Sequence, residues 1–338
     1  MFRFKFVVDY FQREGASGPT VDANLRAKWL TRYAPRDLEI AFAPYPGQKP
    51  LYEPERVKLV RQDEPGWWNH YFFNSSLINI QSGDDWSLGP NIDLSRPISN
   101  HRLTVAVSQY HKQIILKKWP LPSDRVSVIY NMVDTELFYP RNKNSHFTVG
   151  WVGYDHPSRM TKGVEVIPYL ARKFPHIQFE MVHARKPRYT NEWLPEPLPN
   201  LRVLYGIPHV KMPQIISRWH VLVCGSKWET FGSHILEAMA CGVPVIAAKV
   251  AAIPEVASSQ VLLENMKWGQ PPKVTYPYDW TEESLERYSE ALEKLYKDQH
   301  LYNKLREEAV KESRRFNPDT VAKQWYKFMY QCRELSRM

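Results

Sequence analysis

The stretch GSKWETFGSHILEAMACGVPVIAAKVAAIPEV, residues 225–256, decides how the chain is interpreted. It overlaps the end of HVLVCGS (220–226), an apolar segment typical of a buried strand. A loop follows, and Ser233 is placed to cap a helix that Gly242 ends. Pro244 opens the next apolar segment. The order strand, loop, helix, strand predicts an α/β unit whose loop lies at the carboxyl end of a parallel strand.

This loop has the properties of a nucleotide site. Ligands of open α/β sheets bind beyond the carboxyl ends of the strands. Gly232 lets the backbone approach a ligand closely, and the N–H groups at the helix start near Ser233 suit a diphosphate. Glu237, one turn into the helix, is placed to reach a hydroxyl pair such as that of a ribose.

The run from WETFG through EAMACGVPVIA to the IPEV segment at 253–256 resembles the signature of the retaining GT-B glycosyltransferases of family 4, the glycosyl transferases group 1. The glutamates Glu229 and Glu237 at this spacing are weak evidence alone, whereas the whole run is specific. The resemblance implies that Glu229 binds the donor sugar's hydroxyls near the reacting carbon and that Glu237 binds the ribose. The alternative is an ordinary loop carboxylate and a solvated helix residue.

The resemblance also implies further donor contacts. Phe231, Gly232 and Ser233 resemble the loop whose backbone meets the sugar and the diphosphate. Gly206 and Ile207, after the segment LRVLYG, resemble the turn whose backbone reads the nucleotide base.

A second block, VGWVGYDHPSRMTKGVEVI (149–167), is similar to the family's strand, glycine loop and Lys-Gly pair. The resemblance makes Gly153 a donor-binding glycine and Lys162 the cation that holds the diphosphate. The family usually has an arginine directly after this glycine, whereas Tyr154 stands there, so Arg159 is expected to act from a longer loop. A solvated Arg159 is the alternative. The expected catalytic residues are therefore Glu229, Lys162 and Arg159.

No metal is expected at this site, and no cofactor besides the nucleotide-sugar co-substrate, such as UDP-glucose or GDP-mannose. Two fixed cations and a helix N-terminus can offset the charge of a leaving diphosphate without a metal ion.

The first half of the chain matches the family less closely. Gly15 and Gly18 resemble the glycine loop after the first strand, which in the family faces the donor phosphates or the acceptor and is assigned here to donor binding; a plain turn is the alternative. The family often places a histidine of the N-terminal domain beside the reacting carbon, and this sequence has no clear equivalent. The candidates for an N-terminal catalytic group are Gln81, Asp84, Asp85, Trp86, His70, His101 and His111.

The implied fold is α/β of the GT-B type, with two Rossmann-like, doubly wound domains facing a cleft. The expected N-terminal acceptor domain covers residues 1–143, and the nucleotide-sugar donor domain covers 144–316. Residues 317–338, an amphipathic helix opened by Asn317 and Pro318, are expected to cross back to the N-terminal domain.

Composition limits the class of protein. The chain has 338 residues, 43% of them hydrophobic, which suits globular α/β domains. No apolar run reaches the roughly 20 residues that span a bilayer. Three cysteines without a CxxC pair favour a reduced, cytoplasmic setting. The net charge of +9 suits an anionic partner, which is a membrane surface, a phosphorylated substrate or nucleic acid.

The sequence therefore predicts a retaining, metal-independent glycosyltransferase that moves a sugar from a nucleoside-diphosphate sugar to an acceptor hydroxyl in envelope-glycan or glycolipid synthesis. A lipid-linked acceptor and peripheral attachment to the inner face of a membrane are favoured over a soluble small-molecule or protein acceptor. One alternative is a phage-type DNA glycosyltransferase, since basic and aromatic residues also suit nucleic acid. Another is a catalytically inactive GT-B scaffold or binding protein.

Overall fold

The computed structural model describes residues 1–8, 18–44, 46–52, 54–61, 63–72, 103–118, 121–153, 162–184, 197–269 and 279–337. The chain divides into two compact units. Unit 1 comprises Met1–Asp134 and Phe316–Met338, and unit 2 comprises Thr135–Arg315. The change from unit 1 to unit 2 thus falls at 134/135, before the predicted position at 143/144.

Some of the predicted residues lie outside the described ranges. They are Gly15, Gln81, Asp84, Asp85, Trp86, His101, Tyr154 and Arg159, together with the side chain of His70.

The strands of unit 1 are β1 (Phe2–Val8), β2 (Leu38–Ala43), β3 (Trp68–Phe72), β4 (Thr104–Ala106) and β5 (Val126–Val128). Those of unit 2 are β6 (Thr148–Gly153), β7 (Gln178–His183), β8 (Leu201–Tyr205), β9 (Val221–Cys224), β10 (Val245–Ala248) and β11 (Val261–Leu263).

The helices, in chain order, are α1 (Gly18–Arg32), α2 (Gln109–Lys118), α3 (Val166–Lys173), α4 (Met212–Ile216), α5 (Ser233–Ala240), α6 (Ile253–Val256), α7 (Glu282–Lys297), α8 (Gln299–Ser313) and α9 (Pro318–Ser336). Of these, α1, α2 and α9 belong to unit 1.

Unit 1 is built on parallel strands in the order β2-β1-β3, with β4 and β5 as a separate parallel pair. The apolar and β-branched residues of VKLVRQ, 57–62, predict a strand, but the described part of this segment forms only a bridge between Leu59 and Phe42, so that prediction is wrong. Lys58 and Leu59 are both exposed, so the segment lacks a continuous apolar face to bury against a sheet. The third strand is instead formed by 68–72, which the sequence analysis did not identify.

The last helix completes the core of unit 1. Asn317 caps α9 by accepting a hydrogen bond from the backbone N–H of Thr320 at 2.7 Å. The rings of Trp325 and Phe6 lie 5.3 Å apart in an edge-on arrangement, and the Tyr326 hydroxyl donates to the carbonyl oxygen of Leu30 at 3.0 Å. The apolar face of α9 is therefore buried against β1 and α1.

Unit 2 carries a parallel sheet in the order β11-β10-β9-β6-β7-β8 among the described residues. In the order of its own strands this is 6-5-4-1-2-3, the arrangement of dinucleotide-binding folds. The strand order reverses between β6 and β9, which pair at Val149 and Val221. Ligands of such sheets bind beyond the carboxyl ends of the strands at this switch point. The fold therefore predicts a site around the segments that follow β6 and β9.

Candidate active site

An ion pair lies at the switch point of the unit 2 sheet. The Nζ atom of Lys162, after β6, lies 2.5 Å from Oε1 of Glu229, after β9. The hydroxyl of Ser226 donates to the same Glu229 oxygen at 2.8 Å. Glu229 is buried, whereas 28% of the Lys162 side chain stays accessible. The geometry therefore brings together two of the three predicted catalytic residues, with the lysine side chain partly accessible.

Close contact between two glycines fixes this arrangement. Gly163 has a φ of +59°, and a Cβ atom on it would lie 1.9 Å from the carbonyl oxygen of Gly225. A Cβ atom on Gly225 would lie 2.3 Å from the carbonyl oxygen of Gly163. Because side chains at either position would collide with backbone, only glycine allows the segment of Lys162 to cross directly over the end of β9.

The charges around Glu229 favour its ionised form. Burial alone would raise its pKa, but the charge of Lys162 and the hydrogen bonds from Lys162 and Ser226 outweigh burial, and the pKa is lowered; His234 lowers it further only when it is protonated. Burial and Lys162 together lower the pKa of His234, although Glu229 and Glu237 oppose them. The site thus holds a carboxylate, an ammonium group and a neutral imidazole at neutral pH.

The start of α5 borders this ion pair. Ser233 was predicted to cap the helix, and this prediction was wrong, because Gly232 occupies the N-cap position and no side-chain capping bond is formed. Gly232 has a φ of +92°, a conformation that a serine cap does not adopt. Ser233 is the first helical residue and is half-buried, and Phe231 is buried in the core. No side chain caps the first N–H groups of this helix, and uncapped N–H groups at a helix start suit an anion.

Glu237 is a buried residue and not a solvated one. Its Oε1 atom lies 2.7 Å from Nε2 of His209, and both side chains are at most 10% exposed. His209 follows the turn at Gly206 and Ile207, which begins at the end of β8. Gly206 has a φ of +62°, and a Cβ atom there would meet nothing within 4 Å. The predicted ribose ligand and the predicted base-reading turn are thus linked through a histidine that the sequence analysis missed.

Two further features of the site were missed. The first is Ser226, which lies three residues before Glu229, so its hydrogen bond to Glu229 could have been predicted from this short spacing. Lys227 is buried. Its Nζ atom lies 2.5 Å from Oε1 of Glu165 and 5.1 Å from the centre of the Trp280 ring. Trp280 in turn donates from its indole N–H to the carbonyl oxygen of Gly225 at 2.8 Å. This network depends on residues distant in sequence, so no local pattern signals it.

The remaining predicted residues are placed as follows. Gly153 ends β6, where a Cβ atom would lie 2.7 Å from the Trp151 ring. Gly18 is the first residue of α1 in unit 1. In unit 1, His111 is fully buried, with Nδ1 accepting from the Val107 N–H at 3.2 Å.

The described part of the chain lacks two kinds of feature. No group of three or more His, Cys, Asp or Glu side chains is suitably gathered for a metal ion within the described ranges. Over the same residues, no helix combines the length and hydrophobicity required to cross a bilayer.

The fold and the site correspond to a known class. Residues 194–312, which include Glu229, Glu237 and α5, match the family described as Glycosyl transferases group 1. This segment is therefore similar to that family, and the chain has the GT-B fold of solved glycosyltransferases. The predicted resemblance to the glycosyl transferases group 1 and the predicted GT-B fold class are confirmed.

Similar proteins agree with this assignment. The chain is 28% identical over 234 residues, or 63% of its length, to a subunit of human phosphatidylinositol N-acetylglucosaminyltransferase, of which it covers 48%. It spans about half the length of the curated relatives it matches. Sucrose-phosphate synthase from Thermosynechococcus elongatus aligns with a TM-score of 0.74 at 15% identity, covering 98% of this chain and 100% of that one. Anabaena HepE in complex with UDP-glucose gives 0.68 at 16% identity, covering 97% and 99%.

Proposed function

We propose that this protein is a retaining glycosyltransferase that moves a sugar from a nucleoside-diphosphate sugar to an acceptor hydroxyl. The observation that carries the proposal is the Lys162–Glu229 ion pair at the switch point of the sheet, next to the uncapped start of α5. An accessible cation beside a helix N-terminus suits a diphosphate, and a buried carboxylate beside it suits sugar hydroxyls.

Each group has a task in the proposed transfer. Lys162 and the N–H groups at the start of α5 stabilise the negative charge that develops on the leaving diphosphate. Glu229, kept ionised by Lys162, orients the sugar hydroxyls, and Glu237 holds the ribose. Arg159 is proposed to add a second cation. The acceptor attacks from the face that the diphosphate leaves, and a departing phosphate oxygen takes the acceptor's proton, so the configuration is retained.

The proposed transfer needs no metal ion. The cations that offset the diphosphate charge in this scheme belong to the protein. The test is direct, because a chelator leaves such an enzyme active, whereas it inactivates one that depends on a bound metal.

The proposed acceptor is a lipid-linked glycan or a phospholipid headgroup, reached from the cytoplasmic face of a membrane. Two observations support this choice. The human relative is named as part of a phosphatidylinositol N-acetylglucosaminyltransferase, and the chain carries a net charge of +9, which suits an anionic surface.

The experiment is a screen of sugar nucleotides by thermal unfolding and by donor hydrolysis, with and without EDTA. Stabilisation by one nucleotide, with slow hydrolysis that EDTA leaves unchanged, supports the proposal and names the donor. Activity that EDTA removes contradicts the metal-independent scheme. No response to any donor, alone or with added anionic vesicles or DNA, favours an inactive scaffold. Retention on DNA with transfer to it would instead identify a DNA glycosyltransferase.

A further inference from the structure

We propose that unit 2 carries a second anion site, formed by Lys143, His220, Tyr302 and Arg306, that binds a phosphate group. These residues lie at the amino ends of the strands. Lys143 precedes β6, His220 directly precedes β9, and the other two lie on α8. The proposed donor site lies beyond the carboxyl ends of the same strands, so the two sites lie at opposite ends of the strands.

Positive charge accumulates at Lys143 and Arg306, and neither side chain is paired with a carboxylate among the described residues. Among the residues that the structure describes, Arg306 takes part in no hydrogen bond or ion pair, and the Lys143 ammonium donates only to the carbonyl oxygen of Gly242, at 3.1 Å. Burial and the nearby Arg306 charge lower the pKa of Lys143 to about 7, against a weak opposing effect from Cys241. Two facing cations in partly buried positions are unfavourable unless an anion joins them.

The proposed site also contains a buried hydroxyl that has no hydrogen-bond partner among the described residues. Tyr302 is 6% exposed, and its hydroxyl is buried with no hydrogen bond to any described group of the protein. Buried hydroxyls are almost always paired, so this one indicates a ligand or a bound water. Burial raises the pKa of Tyr302 while the Arg306 charge lowers it, which places this hydroxyl within the influence of the guanidinium group.

The imidazole of His220 supplies a further donor. Its Nδ1 atom accepts from the backbone N–H of Thr148 at 3.1 Å. Burial, together with the charges of Lys143 and Arg306, lowers its pKa to about 4, so the ring is neutral at pH 7 and carries its proton on Nε2. The centres of the His220 and Tyr302 rings lie 6.2 Å apart.

The chemistry of the set selects the class of ligand. Ammonium, guanidinium, imidazole N–H and phenol groups all donate, and these four side chains include no carboxylate that would attract a metal cation. A phosphate group has the charge and the number of acceptor oxygens to satisfy such a set. The source is either a soluble phosphate compound or a phospholipid headgroup.

The test is binding of inorganic phosphate to the full chain, measured by thermal unfolding and by phosphorus NMR at constant ionic strength with chloride as the reference. The Lys162→Ala variant is expected to bind phosphate at this site as the unaltered chain does, which separates it from the proposed donor site. Arg306→Gln is expected to weaken binding by about ten-fold or more. Tyr302→Phe keeps the buried ring and removes only the hydroxyl, and it should weaken binding without loss of fold.

Lys304→Gln, on the same helix and exposed, is the matched control and should bind phosphate normally. Vesicles with and without a phosphatidylinositol phosphate identify the source. Binding of free phosphate supports a soluble ligand. Binding only to vesicles that contain the phosphatidylinositol phosphate, if it is lost in Arg306→Gln, supports a lipid headgroup. The inference is overturned if neither probe binds better than chloride or neutral vesicles, or if Arg306→Gln and Tyr302→Phe bind as tightly as the control. Since none of these outcomes depends on glycosyl transfer, the proposed function can fail independently.

Discussion

Gly163 and Gly225 cross so closely that a Cβ atom on the first would lie 1.9 Å from the carbonyl oxygen of the second. One of these glycines follows Lys162, the proposed diphosphate cation, and the other follows the last residue of β9. Their contact sets the distance between the loop of β6 and the loop of β9, on which Lys162 and Glu229 meet. The site is therefore positioned by backbone contact as well as by the ion pair.

Replacing Gly163 with alanine should destabilise unit 2 strongly. The collision with backbone and the φ of +59° together should cost about 3 kcal/mol or more in the free energy of unfolding, measured by urea titration. Gly206→Ala is the matched control, since Gly206 has a similar φ of +62° but open space around a Cβ atom. It should cost only about 1 kcal/mol. Equal losses in the two variants would show that the glycine contact is not the cause.

Lys162→Ala should lower the rate of sugar transfer by about 10²–10³-fold, because a developing phosphate charge loses its fixed cation. Glu229→Gln should also lower the rate, since an amide cannot accept as a carboxylate does. Lys173→Ala, which removes an exposed lysine from the nearby helix α3, is the control and should keep full activity. Initial rates with the donor identified by the screen check these expectations. Near-normal transfer in Lys162→Ala would exclude its assigned role.

His209→Ala should weaken binding of the donor nucleotide by about ten-fold, because Glu237 loses the partner that holds its carboxylate. To separate the positioning of Glu237 from a general loss of structure, binding of the nucleotide is compared with binding of its 2′,3′-dideoxy analogue, which lacks the ribose hydroxyls. The unaltered protein should bind the normal nucleotide more tightly than this analogue, and His209→Ala should show a smaller difference. His146→Ala, an exposed histidine in unit 2, is the control. If His209→Ala keeps the full preference for the ribose hydroxyls, the pairing does not serve nucleotide binding.

Folding stability should fall as the pH drops from 7 to 5. Burial lowers the pKa of His111 and His183 from 6.5 to about 4. The unfolded chain therefore takes up these protons at a higher pH than the folded one does. The contribution of these two neutral histidines to the free energy of unfolding is present above pH 6.5 and is lost as the pH falls from there toward 4.

The loss between pH 7 and 5 should be about 2 kcal/mol per buried histidine in urea titrations. His111→Asn keeps an acceptor for the Val107 N–H and cannot titrate, so this variant should lose about 2 kcal/mol less over that range. An unchanged pH slope would mean that His111 does not contribute.

Part of the site could be predicted from the sequence for a physical reason. Residues 221–240 form one continuous strand, loop and helix, so Glu229, Gly232 and Glu237 are placed by local geometry. The contacts of these residues were harder to predict. His209 lies 28 residues from Glu237, and Lys227 lies 62 residues from Glu165, so both pairs depend on how the sheet is assembled.

The N-cap residue of α5 also depends on tertiary structure, although it lies next to the predicted one in the sequence. Both Gly232 and Ser233 are acceptable at a helix start, and residue preference alone favours serine. The residue before the helix has a positive φ, which favours glycine, and this angle depends on how the loop after β9 packs in the tertiary structure. The third strand of unit 1 was missed for a related reason, because Trp68–Phe72 gains its strand conformation by pairing with β1, which is distant in sequence.

The assignment of α9 to unit 1 has a consequence for biosynthesis. Unit 2 is an insertion whose two junctions, after Asp134 and before Phe316, lie next to the hydrogen bond from Val133 N–H to the Phe316 carbonyl oxygen at 3.1 Å. The rings of Trp325 and Phe328 that cover Phe4 and Phe6 are translated only after the whole of unit 2. The growing chain must therefore keep its first strands, with their exposed aromatic residues, from aggregating until the whole of unit 2 has left the ribosome.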